Sequence, residues 1–559
     1  MVSKIFGFLY KETKSLNQAA FLLGLFAFLS QILAFLRDRL LAHIFGAGEA
    51  LDIYYAAFRI PDFIFVTAAS VVSISVLVPF IMEEELRGRE SLRHFINNIF
   101  SFFFVLIIVV SAIAFFLIPA ISEVLFKGFN PEALAETVFI SRLLLLSPII
   151  LGFSNLFGSL TQAYQRFTVY ALTPVLYNAG IIVGIMALAN KFGILGIAIG
   201  VIAGALLHLF IQIPFVLKLG LFPKRPSFGI DFSVIRRVVT ISLPRTLTLS
   251  MTALSTIFLL SLASLMPPGS ISIFSFATHL AAVPLSLIGV SYSLAAFPTL
   301  SRRFREKNIE GFKEQMRNTT RFIIFWTLPL SALFVVLRAQ IVRVVLGTGE
   351  FAWDDTRLVA AALAIFAVSA LAQCLILLFM RGFYSAGFTR KPFFINLIST
   401  AIMFVLAWGS VKLFYTRGSM REFLGALLRV EDVSGIVVLV LPLAFSIATI
   451  LNAIFLWYSL EKEFKGFSKG ILRTFLDCLG SSVVMAAVAY VSLNIFANFL
   501  DTATLLGILL EGVLAGLVAS IAGMAVLIAL KNREIAEVWN AIRQKFWKAK
   551  IIATDPEIV

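Results

Sequence analysis

One short stretch near the start of the chain is rich in ionisable residues, and Arg37, Asp38, Asp52, Arg59 and Asp62 are its candidate set. Apolar sequence surrounds them. Arginine keeps its charge in almost any setting and holds phosphate through two parallel N–H groups. Ionisable groups in apolar helices are costly, and they line cavities or pair with one another. Two readings stay open. Arg37 and Arg59 contact an anionic substrate while Asp38, Asp52 and Asp62 orient them or couple to a cation; or the set is a charge network fastening two helices. Seven residues separate Asp52 from Arg59, so an unbroken helix would place both on one face. Further along, Arg245 follows Pro244, where a proline kinks a helix and frees a backbone carbonyl. His279 stands alone in an apolar run, a setting more often structural than functional. Arg142 reads as snorkelling to an interface. His208, Asp477 and Glu511 read as packed groups with local partners.

Other chemistries find little support. Cys374 and Cys478 sit in apolar runs, which argues against a disulfide framework or a thiolate metal site. The four histidines form no metal-ligand pattern. The pairs Gly46/Gly48 and Gly347/Gly349 lack the following Gly-Lys-Ser/Thr of a phosphate loop and read as turns. With no ATPase motif, transport would draw on a gradient or the membrane potential. The segment from Phe414 to Asp432 carries Glu422, Glu431 and Asp432, a thin basis for catalysis. The expectation is a transporter, not an enzyme.

The elements that must position these residues follow from composition. Of 559 residues, 60% are hydrophobic and 14% charged. Soluble domains carry about 25% charged residues. Mean hydropathy is +0.97. The chain reads as an all-α polytopic membrane protein. A helix needs about 20 apolar residues to cross the hydrocarbon. Fourteen runs qualify: 18–36, 52–82, 97–119, 138–163, 168–190, 192–217, 238–266, 270–300, 320–346, 357–386, 391–415, 435–460, 472–499 and 503–530. The runs at 52–82, 270–300 and 357–386 are long enough to require a tilt, a kink or a projection. With both termini in the cytoplasm, cytoplasmic segments hold roughly three times as many Lys and Arg as external ones. The net charge of +15 then reflects loops facing anionic lipid rather than nucleic acid. Residues 1–17 alternate lysines with apolar residues, as a cytoplasmic interfacial helix does. The basic stretch from Arg302 to Arg321 reads as a cytoplasmic linker.

A shift of about 220 residues aligns Asp52–Ile60 with Ser272–Leu280. It also aligns Tyr164, Pro174 and Asn178 with Tyr384, Pro392 and Asn396. This predicts two pseudo-symmetric six-helix lobes, 18–220 and 221–462. Two further helices (463–530) and a cytoplasmic tail (531–559) follow. Paired helical lobes suit alternating access.

Several segments resemble one family. Leu36-Arg37-Asp38, Ile44-Phe45-Gly46-Ala47-Gly48, Asp52 and Ala57-Phe58-Arg59-Ile60-Pro61 are similar to the first two helices of the MurJ/MviN family. So are Val78-Pro79, Pro244-Arg245-Thr246-Leu247, Phe297 to Ser301, Gly349-Glu350-Phe351 with Asp355-Thr356, and Gly382-Phe383-Tyr384-Ser385 with Pro392. The resemblance implies a lipid II flippase of the multidrug/oligosaccharidyl-lipid/polysaccharide exporter superfamily. Such a protein moves undecaprenyl-pyrophosphate-linked peptidoglycan precursor from the cytoplasmic to the periplasmic leaflet of the bacterial inner membrane. It implies a cationic cavity for the pyrophosphate, here Arg37, Arg59, Arg245 and His279, with Asp38, Asp52 and Asp62 as a charge network. It implies a groove for the prenyl tail on the last two helices. It also implies coupling to a cation (Na+ or H+) or to the membrane potential. Membrane lipids and cell-wall synthesis proteins are the expected partners of a monomer.

The chain departs from the family pattern in its basic residues. Gln31, Phe65-Val66 and His279 stand where the family carries basic groups, Ser70 where it carries an acidic one, and Ala253-Leu254-Ser255 where it has Gln-Ile-Asn. A flippase or exporter for another polyprenyl-linked glycan, or for a small molecule, is therefore the alternative. A membrane scaffold in cell-wall assembly, or an enzyme acting on lipid-linked glycan, is a third reading.

Overall fold

A computed structural model describes residues 16–71, 74–221 and 231–539. The expected interfacial helix at 1–17 lies almost wholly outside these residues. The lobe boundary near 220 runs into the undescribed segment 222–230, and most of the tail is also outside. The chain is 87% helical, without strands among the described residues. Twelve helices there are long and apolar enough to cross a membrane. They correspond to the last twelve predicted spans. The first predicted span is the helix Leu16–Phe45, longer than expected at both ends. The second is broken once among the described residues, at Phe58, between Glu49–Ala57 and Arg59–Val71; Ile74–Arg87 is also helical, and residues 72–73 lie outside the described residues.

The three overlong spans resolve differently. The break in the first comes at Phe58, ahead of Pro61. In the second, a π-helical turn at Leu285–Val290 follows Pro284. The third is one continuous helix of 33 residues, Trp353–Ser385, about 50 Å at 1.5 Å per residue. The basic stretch from Arg302 to Arg321 is not an extended linker. It is helical except for a tight turn between Ser291–Arg305 and Ile309–Val336, so its cations ride on helix ends.

The chain forms two compact units. One contains the residues up to Ala277 with Val345–Ala362 and Asn396–Ala448; the other contains Thr278–Val344, Leu363–Ile395 and the residues from Thr449. In the first, Phe80, Phe95 and Phe103 anchor an aliphatic core. There Glu84, 6% exposed, takes Arg87 at 3.1 Å, Arg237 at 3.4 Å and the Ser91 hydroxyl at 2.6 Å. That cluster pins the start of the helix Phe232–Ala263 to Ile74–Arg87. In the second unit, Phe312, Phe379, Phe383 and Phe467 are fully buried. Its trailing helices Ile471–Phe496 and Leu505–Ala529 pack together, and the first of them packs on Ile309–Val336.

Helices in lipid gain nothing from hiding apolar surface from water, so close backbone approach carries their association. Phe167–Gly184 and Ile194–Phe210 show this. Gly180 and Gly184 face Gly204 and Gly200. A Cβ on Gly180 would lie 2.4 Å from the Gly204 Cα, and one on Gly184 would lie 2.3 Å from the Gly200 Cα. Overpacking a tight site costs roughly 1–3 kcal/mol. Gly184→Leu is therefore expected to lower the thermal midpoint of the purified protein. Gly24→Leu, which enters open space, should leave it unchanged. Equal midpoints for both variants would show that the glycine contact does not hold this hairpin.

Candidate functional site

In the bilayer a proline's missing N–H leaves a carbonyl that must find another donor. Pro61 frees the Ala57 carbonyl, which accepts the Ser141 hydroxyl at 3.0 Å. The helix therefore breaks between Ala57 and Arg59, and Asp52 and Arg59 lie on separate helices. Arg59 Nε donates to the Tyr55 carbonyl at 3.2 Å. Asp62 follows Arg59 by three residues, so the two are neighbours on one helix face.

Arg37 ends up elsewhere. Its Nε and Nη2 donate to Asp38 Oδ1 at 3.0 and 2.8 Å, and Nη1 donates to Asn178 Oδ1 at 3.3 Å. Asn178 in turn donates to the Ser30 hydroxyl at 3.1 Å and the Pro174 carbonyl at 3.2 Å. Asp38 is 3% exposed, while the Arg37 side chain keeps 20% of its surface open. The guanidinium has five N–H groups. Three are used among the described residues, and two point to none of them. The fastening runs from the first helix to Phe167–Gly184, not to the second span.

Asp52 makes a third arrangement. It is 4% exposed. One carboxylate oxygen accepts the Gly269 N–H at 2.7 Å. The other accepts the Ser272 N–H at 2.7 Å and the Ser272 hydroxyl at 2.6 Å. These donors sit at the N-terminus of the helix Ser270–Pro284, where free N–H groups and the helix dipole favour an anion. Asp52 and Ser272 are the residues that the 220-residue shift aligns.

The surrounding contacts repeat with an offset one residue longer. Gly349 lies against His43, whose carbonyl accepts the Glu350 N–H at 3.0 Å. Gly128 lies against Ser264, and the Ser261 hydroxyl donates to the Leu125 carbonyl. Each member of one pair stands 221 residues from its counterpart in the other. Gly269 and Gly349 have φ of +91° and +59°, which favours glycine. A Cβ on either would lie 2.1–2.2 Å from a carbonyl oxygen of Ala47 or His43. The first unit thus carries a two-fold-related seam with the Asp52–Ser272 contact at its centre.

The remaining candidates separate. His279 is half-buried in the second unit. The backbone of Arg245 lies in Phe232–Ala263, and its side chain is outside the described residues. Arg142 Nε donates at 3.0 Å to the Phe115 carbonyl, the group freed by Pro119. His208 meets the Ser154 hydroxyl at 2.6 Å beside Gln212. Asp477 accepts from Asn532 at 3.3 Å. Glu511 is 5% exposed on the last helix. No cluster of three or more His, Cys, Asp or Glu able to hold a metal occurs among the described residues. Sequence reasoning missed Asn178 and Ser272 as site residues, though both carried the internal repeat.

Comparison with known proteins gives the setting. The family profile described as "Lipid II flippase MurJ" matches residues 41–514. The chain belongs to the MurJ family. A probable lipid II flippase MurJ of Vibrio cholerae is 26% identical over 406 residues, covering 70% of this chain and 77% of that protein. A counterpart from Buchnera aphidicola subsp. Baizongia pistaciae is 24% identical over 486 residues, covering 85% and 90%. Two solved structures share the fold. Lipid II flippase MurJ in an inward closed conformation superposes with a TM-score of 0.71 at 21% identity, covering 91% of this chain and 100% of that one. A multidrug resistance MATE family transporter of the MOP superfamily, inward-facing, gives 0.63 at 16% identity, covering 79% and 96%.

The seam yields a direct test. Asp52→Ala leaves two helix-terminal N–H groups and a hydroxyl without their acceptor, which costs roughly 1–3 kcal/mol per buried group. In a background lacking Cys374 and Cys478, Gly48→Cys is expected to react faster with a water-soluble thiol reagent once Asp52→Ala is added. Unchanged labelling would mean that Asp52 does not hold the seam closed.

Proposed function

We propose that this chain translocates lipid II, the undecaprenyl-pyrophosphate-linked peptidoglycan precursor, from the cytoplasmic to the periplasmic leaflet of the bacterial inner membrane. The family match across residues 41–514 carries the reading. The two expected lobes, 18–220 and 221–462, alternate access, and release of the Asp52–Ser272 seam is the step that opens one end. Both termini face the cytoplasm. Helices 463–530 offer a groove for the prenyl tail. The protein works as a monomer alongside cell-wall synthesis proteins.

Arg37 is the leading contact for the pyrophosphate. Its side chain keeps 20% of its surface open, is oriented from two sides, and has two N–H groups to offer. Arg59 is the second first-lobe cation, with Asp62 beside it. Arg245 and His279 are the second lobe's candidates for the same anion. Asp38 holds the Arg37 fork in place, so protonation or cation binding near that pair would change how Arg37 meets its ligand. Such a link would let Na+, H+ or the membrane potential drive the cycle.

Charge-assisted hydrogen bonds contribute about 1.5–3 kcal/mol each, or roughly 10–100-fold in transport. Arg37→Ala should lose that much lipid II flipping in proteoliposomes at matched insertion. Arg37→Lys should recover only part of it, because lysine lacks the planar fork. Wild-type flipping by Arg37→Ala would remove Arg37 from the site. Transport of other prenyl-linked sugars by the wild type, with lipid II ignored, would overturn the substrate.

A further inference from the structure

We propose that the first unit carries a binding site for an anionic diacyl phospholipid, separate from Arg37 and the seam. A groove of about 360 Å³ opens on its surface, lined by Phe100, Phe104, Phe153 and Phe157 on one side and by Leu209, Ile213, Val216 and Leu217 on the other. Every lining side chain is apolar. The rings are in mutual contact, with Phe100, Phe104 and Phe153 having centroids 5.4–6.3 Å apart. At about 30 Å³ per water-sized group the space takes roughly a dozen such groups. That is much of one acyl chain, and far less than a long polyprenyl chain.

Charge at one end selects the occupant. Three stretches of helix line the groove, and each has a basic residue where it ends at that side. Arg89 opens the helix Arg89–Leu125, and its Nη2 donates to the Leu219 carbonyl at 2.8 Å, which brings it to the end of Ile213–Leu219. Arg166 lies just past Leu146–Ala163, with its guanidinium 5.5 Å from the Phe215 ring centre. Lys218 is exposed and adjoins Leu217. Acidic groups lie nearby too: Glu85 beside the Tyr164 hydroxyl, and the exposed Glu90 next to Arg89 in the chain. From Lys218 the groove runs to Leu209, about 13 Å deeper at 1.5 Å per residue. A chain lying in the phenylalanine groove thus emerges among three cations, where a phosphodiester would sit. Basic residues at the membrane surface attract anionic headgroups, and the dry groove fixes where the lipid's tail goes.

Native mass spectrometry of the full chain in detergent tests this. Dioleoyl phosphatidylglycerol and dioleoyl phosphatidylcholine compete at equal concentration. The wild type should retain the anionic lipid with a preference of roughly tenfold or more. The triple variant Arg89→Gln, Arg166→Gln, Lys218→Gln should bring the two lipids near parity. Ile213→Trp, which fills the groove but keeps the charges, should remove the preferred adduct. Leu217→Trp serves at the groove mouth if Ile213→Trp does not accumulate. An unchanged preference in the triple variant or in the groove-filled variant overturns the proposal. So does displacement of phosphatidylglycerol by equimolar undecaprenyl phosphate, which would mark the groove as a substrate-tail site.

Discussion

A backbone carbonyl inside a bilayer has no water to accept from, and that constraint organises the rest of this molecule. Three prolines show how it is met. The carbonyl freed by Pro61 takes the Ser141 hydroxyl, the one freed by Pro119 takes Arg142, and the one freed by Pro174 takes Thr173 at 2.8 Å. Two of the three donors come from a neighbouring helix, so a local break becomes a helix–helix contact. Pro61 has the widest consequence. Its break turns Glu49–Ala57 into a short, almost fully buried helix, free to point Asp52 away from Arg59. An unbroken helix would have kept both on one face, two turns apart. Asp52 instead meets the Ser270–Pro284 helix, and Arg59 meets the Tyr55 carbonyl.

The seam around Asp52 follows from the internal repeat. When two similar halves meet about a two-fold axis, equivalent residues face each other at the axis and other contacts come in reciprocal pairs. Asp52 meeting Ser272 is the axial contact, and His43–Gly349 with Ser264–Gly128 is a reciprocal pair. The halves have diverged where it matters. One supplies a carboxylate and the other a helix N-terminus with a hydroxyl. A bond between identical groups would be a poor one; divergence at the axis turns it into a charge-assisted clasp. Glycine at the flanking points lets backbone meet backbone, so the seam is held by short-range contacts.

Apolar run length was enough to find the spans, because a bilayer imposes one length on every crossing. The twelve described helices able to span were all visible that way, and so were Leu16–Phe45 and the helices Glu49–Ala57, Arg59–Val71 and Ile74–Arg87. Side-chain partners were harder to read. The spacing of Asp52 and Arg59 suggested a shared face only on the assumption of a continuous helix, and Pro61 was the sign that it is not continuous. Arg142 looked like a snorkelling residue because its partner is a carbonyl released by a proline 23 positions earlier. Such pairings depend on which helices become neighbours, and apolar composition is nearly silent on that. The repeat was the better guide. The shift that aligned Asp52 with Ser272 had already named the contact, although similarity alone did not say that aligned residues would touch.

The reduced set of basic residues bears on how an anion is met. Burying a guanidinium alone costs several kcal/mol, and a cavity crowded with unpaired arginines would carry that cost many times over. Here Asp38 offsets the cost for Arg37, and Asn178 fixes the plane of the fork without adding charge. The arrangement trades net positive charge for orientation. In the proposed site, such a nearly neutral pair would attract a distant anion weakly, but at contact it would present two directed N–H groups already oriented by Asp38 and Asn178. Release benefits as well, since a ligand held by fewer cations leaves more easily. For a carrier that must both bind and let go in each cycle, a site of moderate depth is better suited than the tightest one the fold could build.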